Sequence, residues 1–131
     1  MTDLMELASR VEAGEGPDRD LDALIAPLQG LRVVDEGHSL GRCCYDVNRC
    51  VVRLPAYTAS LDAAMTLLPA AYDHIEVYPP RGKYTGWTVH IIPPSRAMFD
   101  TCTGYAPSYE RALTAAALRA RAHQGTAHVE Q

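Results

Sequence analysis

Leu4, Leu7, Ala8 and Val11 recur at helical spacing and predict an amphipathic helix over about residues 3–13. Gly14-Glu15-Gly16 breaks it, and Pro17 or Asp18 opens a second helix with Leu21, Leu24, Ile25 and Leu28 on one side. Pro27 ends that helix, with a single turn before Gly30, so the pair reads as an antiparallel helical hairpin. The period then shortens. Leu31 to Asp35 and Arg42 to Leu54 carry alternating or β-branched apolar residues, with Asp46-Val47-Asn48-Arg49 as a turn. Tyr72 to Tyr78 alternates, with Asp73, Ile75 and Val77 on one face and His74, Glu76 and Tyr78 on the other. After the loop Pro79 to Gly86, Trp87, Val89 and Ile91 form the inward set of a second strand, which the double proline at 93–94 ends. Adjacency in sequence predicts that these two strands pair as an antiparallel hairpin. Residues 95–106 read as loop. Pro107 opens a last helix to about His123, and its alanines give high helix propensity. Leu113 and Leu118 fall on different sides of it, so it suits packing on more than one neighbour.

Between the two β-rich stretches lies Pro55-Ala56-Tyr57-Thr58-Ala59-Ser60-Leu61-Asp62-Ala63-Ala64-Met65-Thr66-Leu67-Leu68-Pro69. Pro55 favours extended backbone, Thr58 or Ser60 suits a helix cap, and Asp62 suits the positive end of the helix dipole. Leu61, Ala64, Met65 and Leu68 form the expected inward face, and Pro69 stops the helix. A catalytic cluster of Tyr57, Thr58, Ser60 and Asp62 is the competing reading, but capping accounts for these polar residues without chemistry.

A chain of 131 residues, 47% apolar and 21% charged, suits one folded domain with its own core. The expected layout is a single α+β domain over 1–123, a small antiparallel sheet packed with about four helices as a helix-sheet-helix sandwich, and a frayed tail over 124–131. No apolar run reaches the ~20 residues of a membrane span, and the acidic start is unlike a signal peptide, so a cytosolic location is the default. The net charge of −4 is uneven: residues 1–36 carry nine acids against three arginines, and the rest carry seven acids against nine bases. Such a first segment argues against nonspecific nucleic-acid binding, suits a solvated helical face, and could steer toward a basic partner.

Three blocks resemble the phage ABA sandwich domain, a family of small phage and prophage proteins with no established activity. They are Gly16-Pro17-Asp18-Arg19-Asp20-Leu21-Asp22-Ala23-Leu24-Ile25-Ala26, the Pro55–Pro69 segment with its distinctive Tyr-Thr-x-Ser-Leu-Asp, and Arg111-Ala112-Leu113-Thr114-Ala115-Ala116-Ala117-Leu118. They stand in the family's order and frame most of the chain. The resemblance implies a mixed helix-and-sheet fold and a phage or prophage origin, for which the cytosol would be that of the host. It carries over no catalytic residue. His38 to Cys50 and residues 95–106 lie outside it.

Candidate chemistry is sparse. Cys43, Cys44 and Cys50, with His38 upstream and Cys102 distant, lack the paired spacing of a zinc site, and reduced core thiols explain them more simply. His74 and His90, with Glu76 and Thr88 nearby, would form an acid–base or metal cluster if the register opposed them, yet outward strand positions are polar in any case. Arg81, Lys83, Tyr84 and Trp87 offer cations and rings for a small ligand or nucleotide at the 79–87 hairpin loop. Asp18, Asp20 and Asp22 on the helical hairpin, with Tyr72 and Tyr78 on the sheet, offer a partner surface.

No nucleophile elbow, phosphate-binding glycine loop, metalloprotease helix or paired metal motif is present in the sequence. The leading expectation is therefore a non-enzymatic phage accessory protein that binds a host protein, with no cofactor and no metal. The alternative is a small-ligand or nucleotide binder. A hydrolase using His74 or His90 ranks third, and self-association through the helices stays open.

Overall fold

Asp3 starts the first helix, its carboxylate accepting from the backbone N–H of Met5 at 3.0 Å and of Glu6 at 3.3 Å. This computed structural model describes residues 3–35, 42–70, 72, 74–93 and 101–129; His38 and much of the expected 95–106 loop lie outside them. The element order is α1 (Leu4–Ala13), α2 (Arg19–Ile25), a 3-10 turn (Ala26–Gln29), β1 (Arg32–Asp35), β2 (Arg42–Tyr45), β3 (Val51–Val52), α3 (Leu61–Met65), β4 (His74–Tyr78), β5 (Trp87–Ile92), β6 (Cys102–Ala106) and α4 (Tyr109–Val129). The class is α+β, with the strands divided between two three-stranded antiparallel sheets, β1-β2-β3 and β4-β5-β6.

Asp18 caps α2, accepting from Asp20 and Leu21 N–H, and the 3-10 turn through Pro27 closes on Gly30 in the left-handed region. α1 and α2 do not pack as the expected hairpin. α1 lies on α4 and β6, while α2 is tied to the segment before α3. α2 turns Leu21, Asp22 and Ile25 inward and leaves Leu24 exposed, because a buried polar anchor occupies part of its inner face.

α3 is shorter than expected. Ser60 caps it through the Ala63 N–H, and Asp62 stands in the first turn. Beyond Met65 the bonds tighten to i+3: Thr66 N–H donates to Ala63 and Leu67 N–H to Ala64. That tightening brings Leu67 into the core and leaves Met65 outside, which corrects the inward face expected for this helix.

A strand, β6, occupies part of the stretch expected to be loop. It pairs with β5 so that Val89 faces Gly104 and His90 faces Thr103. Gly104 is where β6 meets α4 most closely: a Cβ there would lie 2.0 Å from the Ala112 carbonyl oxygen. The alanines of α4 allow that approach and let the helix bury every side chain from Arg111 to Leu118. α4 packs on β5 and β6 and also on α1 and α3, so it is the middle of the molecule. Pro107 precedes this helix rather than opening it; Ser108 is its cap, with Oγ accepting from Arg111 N–H and the carbonyl from Ala112 N–H. The helical backbone runs to Val129, past the expected end near His123 and through much of the stretch read as a frayed tail.

Candidate functional site

The β4-β5-β6 sheet has two chemically different faces. Register aligns Ile75 with Ile91 and Cys102, and Val77 with Val89 and Gly104, and this set lies toward α4. The next residues, Glu76 with His90 and Thr103, and Tyr78 with Thr88 and Tyr105, occupy the opposite face. Alternation in the sequence predicted this division for β4 and β5. It also holds in Cys102-Thr103-Gly104-Tyr105-Ala106, but the central glycine obscured that signal.

The polar face is linked side chain to side chain. His90 Nδ1 lies 2.9 Å from Thr103 Oγ1, His74 Nε2 lies 3.7 Å from Glu76 Oε2, and Tyr78 Oη donates to Glu76 Oε1 at 3.4 Å. The Tyr78 ring meets the His90 ring edge-on, 5.5 Å between centroids. The register opposes His90 to Glu76 and His74 to Ile92, so the two histidines do not face each other directly. Hydrogen bonding, ring packing and ordinary strand alternation explain these residues, and none of their contacts activates a nucleophile.

The β4–β5 loop folds over one end of this face. Arg81 and Tyr84 exchange backbone hydrogen bonds at 3.0 and 2.9 Å, and Gly82 at φ 59° makes the turn between them. Lys83 Nζ stands 5.6 Å from the centre of the Tyr84 ring. Below the turn is an open groove of about 570 Å³, its walls including Tyr78, Pro79, Arg81, Tyr84, Thr88 and His90. Trp87 does not belong to it. Its ring stacks on Tyr109 of α4 at 5.2 Å and 17°, on the sheet's other side; of the four residues expected to hold a ligand, Arg81 and Tyr84 line the groove and Lys83 stands on the turn beside it.

The expected partner-binding residues are split as well. Asp22 is fully buried and accepts from Thr58 N–H and Thr58 Oγ1, both at 3.0 Å, and from Arg19 Nη1 at 2.9 Å. Asp18 is occupied in capping, and Asp20 pairs with Arg42 on β2. The acidic segment is thus partly internal wiring. Tyr72 is buried, against the expectation of an outward ring, and Tyr78 is exposed.

The Tyr57–Asp62 cluster does not converge on a cleft. Tyr57 is fully buried with its hydroxyl donating to Gln29 Oε1, Thr58 is buried against α2, Ser60 caps α3, and Asp62 is exposed. Burial pushes the Tyr57 hydroxyl up to about 12, with Cys44 and Asp22 adding to the shift. None of the four cysteines forms a disulfide; Cys44 is buried, Cys43 and Cys102 are half-buried, and Cys50 is exposed, so the expectation of core thiols holds fully for Cys44 only. Among the described residues, no group of three or more His, Cys, Asp and Glu side chains is placed to hold a metal ion. A second groove, beside β2 and β3, holds Arg19, Arg42 and Arg53, but Arg19 is bonded to Asp22 and Arg42 to Asp20. Among the described residues no helix is long and apolar enough to cross a membrane.

No protein-family model, no curated protein and no solved structure matches this chain.

Proposed function

We propose that this chain is a non-enzymatic binding protein of the phage or prophage accessory kind that its three sequence blocks resemble. It meets a host protein in the cytosol through the outer face of the β4-β5-β6 sheet. The observation that supports this reading is the exposure of three tyrosines there and at the adjoining turn: Tyr78 at 51%, Tyr84 at 60% and Tyr105 at 42%. Tyrosine contributes large, rigid contact area with a polar tip, and it is enriched among residues that dominate binding energy at interfaces. The acidic residues 18–22 are not the contact surface in this reading, because Asp22 is internal and Asp18 and Asp20 have partners within the chain.

The test is position-specific photo-crosslinking in the host cell. A crosslinking side chain in place of Tyr78 or Tyr105 is expected to give one discrete heterologous adduct, absent when the probe replaces Met5 on α1, and lost on adding Tyr84→Ala. Adducts that do not depend on probe position, or an adduct only with a second copy of the chain, would remove the reading.

A further inference from the structure

We infer that the groove beneath the β4–β5 turn is a binding site for a mononucleotide, an aromatic ring carrying a phosphate. The inference goes beyond the partner-binding reading and does not require it. The groove holds about 570 Å³, within the range of small-molecule sites. Its two ends differ in chemistry. At the turn stand the Arg81 guanidinium and, one residue beyond Gly82, the Lys83 ammonium, both exposed. Neither side chain makes an ion pair within the described residues. A planar guanidinium beside a mobile ammonium is the combination that grips a phosphate, one by paired N–H donors and the other as a point charge. The Tyr84 ring lies at the same turn, beneath Lys83, and the exposed Tyr78 also lines the groove.

An aromatic base has a face for either ring, a contact that tolerates the identity of the base. Polar groups complete the wall. His90 has Nδ1 committed to Thr103, which leaves Nε2 as its remaining polar ring atom, and Thr88 contributes a hydroxyl between His90 and the turn. One cation in the groove wall, a second on the adjoining turn over Tyr84, and two rings fit one phosphate and one base. The acidic charge of the first third of the chain argues against a track for a longer polymer.

Isothermal titration of the full chain with AMP and with UMP, alongside adenosine and inorganic phosphate, tests the assignment. Saturable binding of both nucleotides is expected, with adenosine and phosphate each at least about tenfold weaker, the loss expected when a phosphate contact or a stacked base is removed. Arg81→Gln and Tyr84→Ala are each expected to weaken nucleotide binding about tenfold or more while the circular dichroism spectrum and Tm stay those of the parent. Both residues are exposed turn positions, so loss of folding does not confound the result. No saturable nucleotide binding at millimolar concentration would overturn the inference. So would equal affinity for adenosine, or affinity unchanged in both variants. A host-protein adduct at Tyr78 or Tyr105 would be untouched by any of these outcomes, so the two readings fail separately.

Discussion

Arg111 Nη1 donates to the carbonyl oxygen of Val11 at 2.8 Å, closing the C-terminal end of α1 from the first turn of α4. The same guanidinium donates through Nε to Gly16 at 2.9 Å and through Nη2 to Glu15 at 3.5 Å. Helix C-termini leave carbonyls without partners and carry partial negative charge, so one buried cation answers both needs. Gly14 makes room for it, since a Cβ at that position would stand 2.6 Å from Nη1.

Arg111→Met is therefore expected to destabilise the fold by about 3 kcal/mol or more, because it strands buried acceptors while keeping much of the apolar stem. Arg111→Lys is expected to recover only part of the loss, since an ammonium cannot span three carbonyls. Chemical denaturation with matched m-values checks both, and a Met variant as stable as the parent would refute the capping role.

Asp22 and Thr58 join α2 to the segment ahead of α3 through a carboxylate with two bonds from one residue. Asp22→Ala is expected to lower stability by about 2–3 kcal/mol, leaving the Thr58 amide and hydroxyl unsatisfied. Asp22→Asn keeps one acceptor oxygen for Thr58 and loses mainly the pairing with a half-exposed Arg19, a weaker term. The ordering of the two variants in thermal unfolding is the test.

Gly104→Ala places a methyl group against backbone atoms of α4, which no rotamer change can relieve. The expected loss is about 3 kcal/mol or more, or a Tm lower by roughly 10 °C. A variant with unchanged Tm would mean that β6 and α4 are farther apart than described.

Glu12 receives both Arg119 Nη1 at 2.5 Å and Nη2 at 2.6 Å, and its Oε2 also accepts from the Tyr105 amide at 2.8 Å. Burial alone would raise its pKa. The Arg119 and Tyr105 hydrogen bonds outweigh that effect and hold the carboxyl below its ordinary 4.5. A depressed folded-state pKa means that this stabilisation is complete above the unfolded value and fades as pH falls through the folded one. Glu12→Gln is therefore expected to destabilise by about 1–3 kcal/mol at neutral pH and by progressively less below pH of about 4.5. A constant difference between parent and variant from pH 7 to 3 would contradict the linkage.

The elements with strong periodicity were legible. α1, the 3-10 turn ending at Gly30 and the β4–β5 pairing follow from spacing and capping residues, and of the two caps the sequence offers for α3, Thr58 and Ser60, the structure uses Ser60. What escaped the sequence was tertiary. Asp22 occupies a helical position that solvent would suit equally well, and only the distant Thr58 explains its burial. Tyr72 carries a ring that suits a surface or a core, and packing decided between them. β6 was hidden because Gly104 lowers strand propensity at the position where α4 needs a missing side chain. Of the expected ligand set, Arg81, Lys83 and Tyr84 stayed together because one turn holds them, whereas strand alternation sent Trp87 to the opposite face.

The central place of α4 has a consequence for biosynthesis. Every surface it covers is translated first, and the bond between Arg111 and Val11 spans 100 positions of sequence. A ribosome-bound fragment ending before Tyr109 therefore holds greasy sheet and helix faces with nothing yet made to cover them. Native structure must arise late, slowed by ring closure over so long a loop, and a prematurely terminated product is a ready substrate for chaperones and proteases.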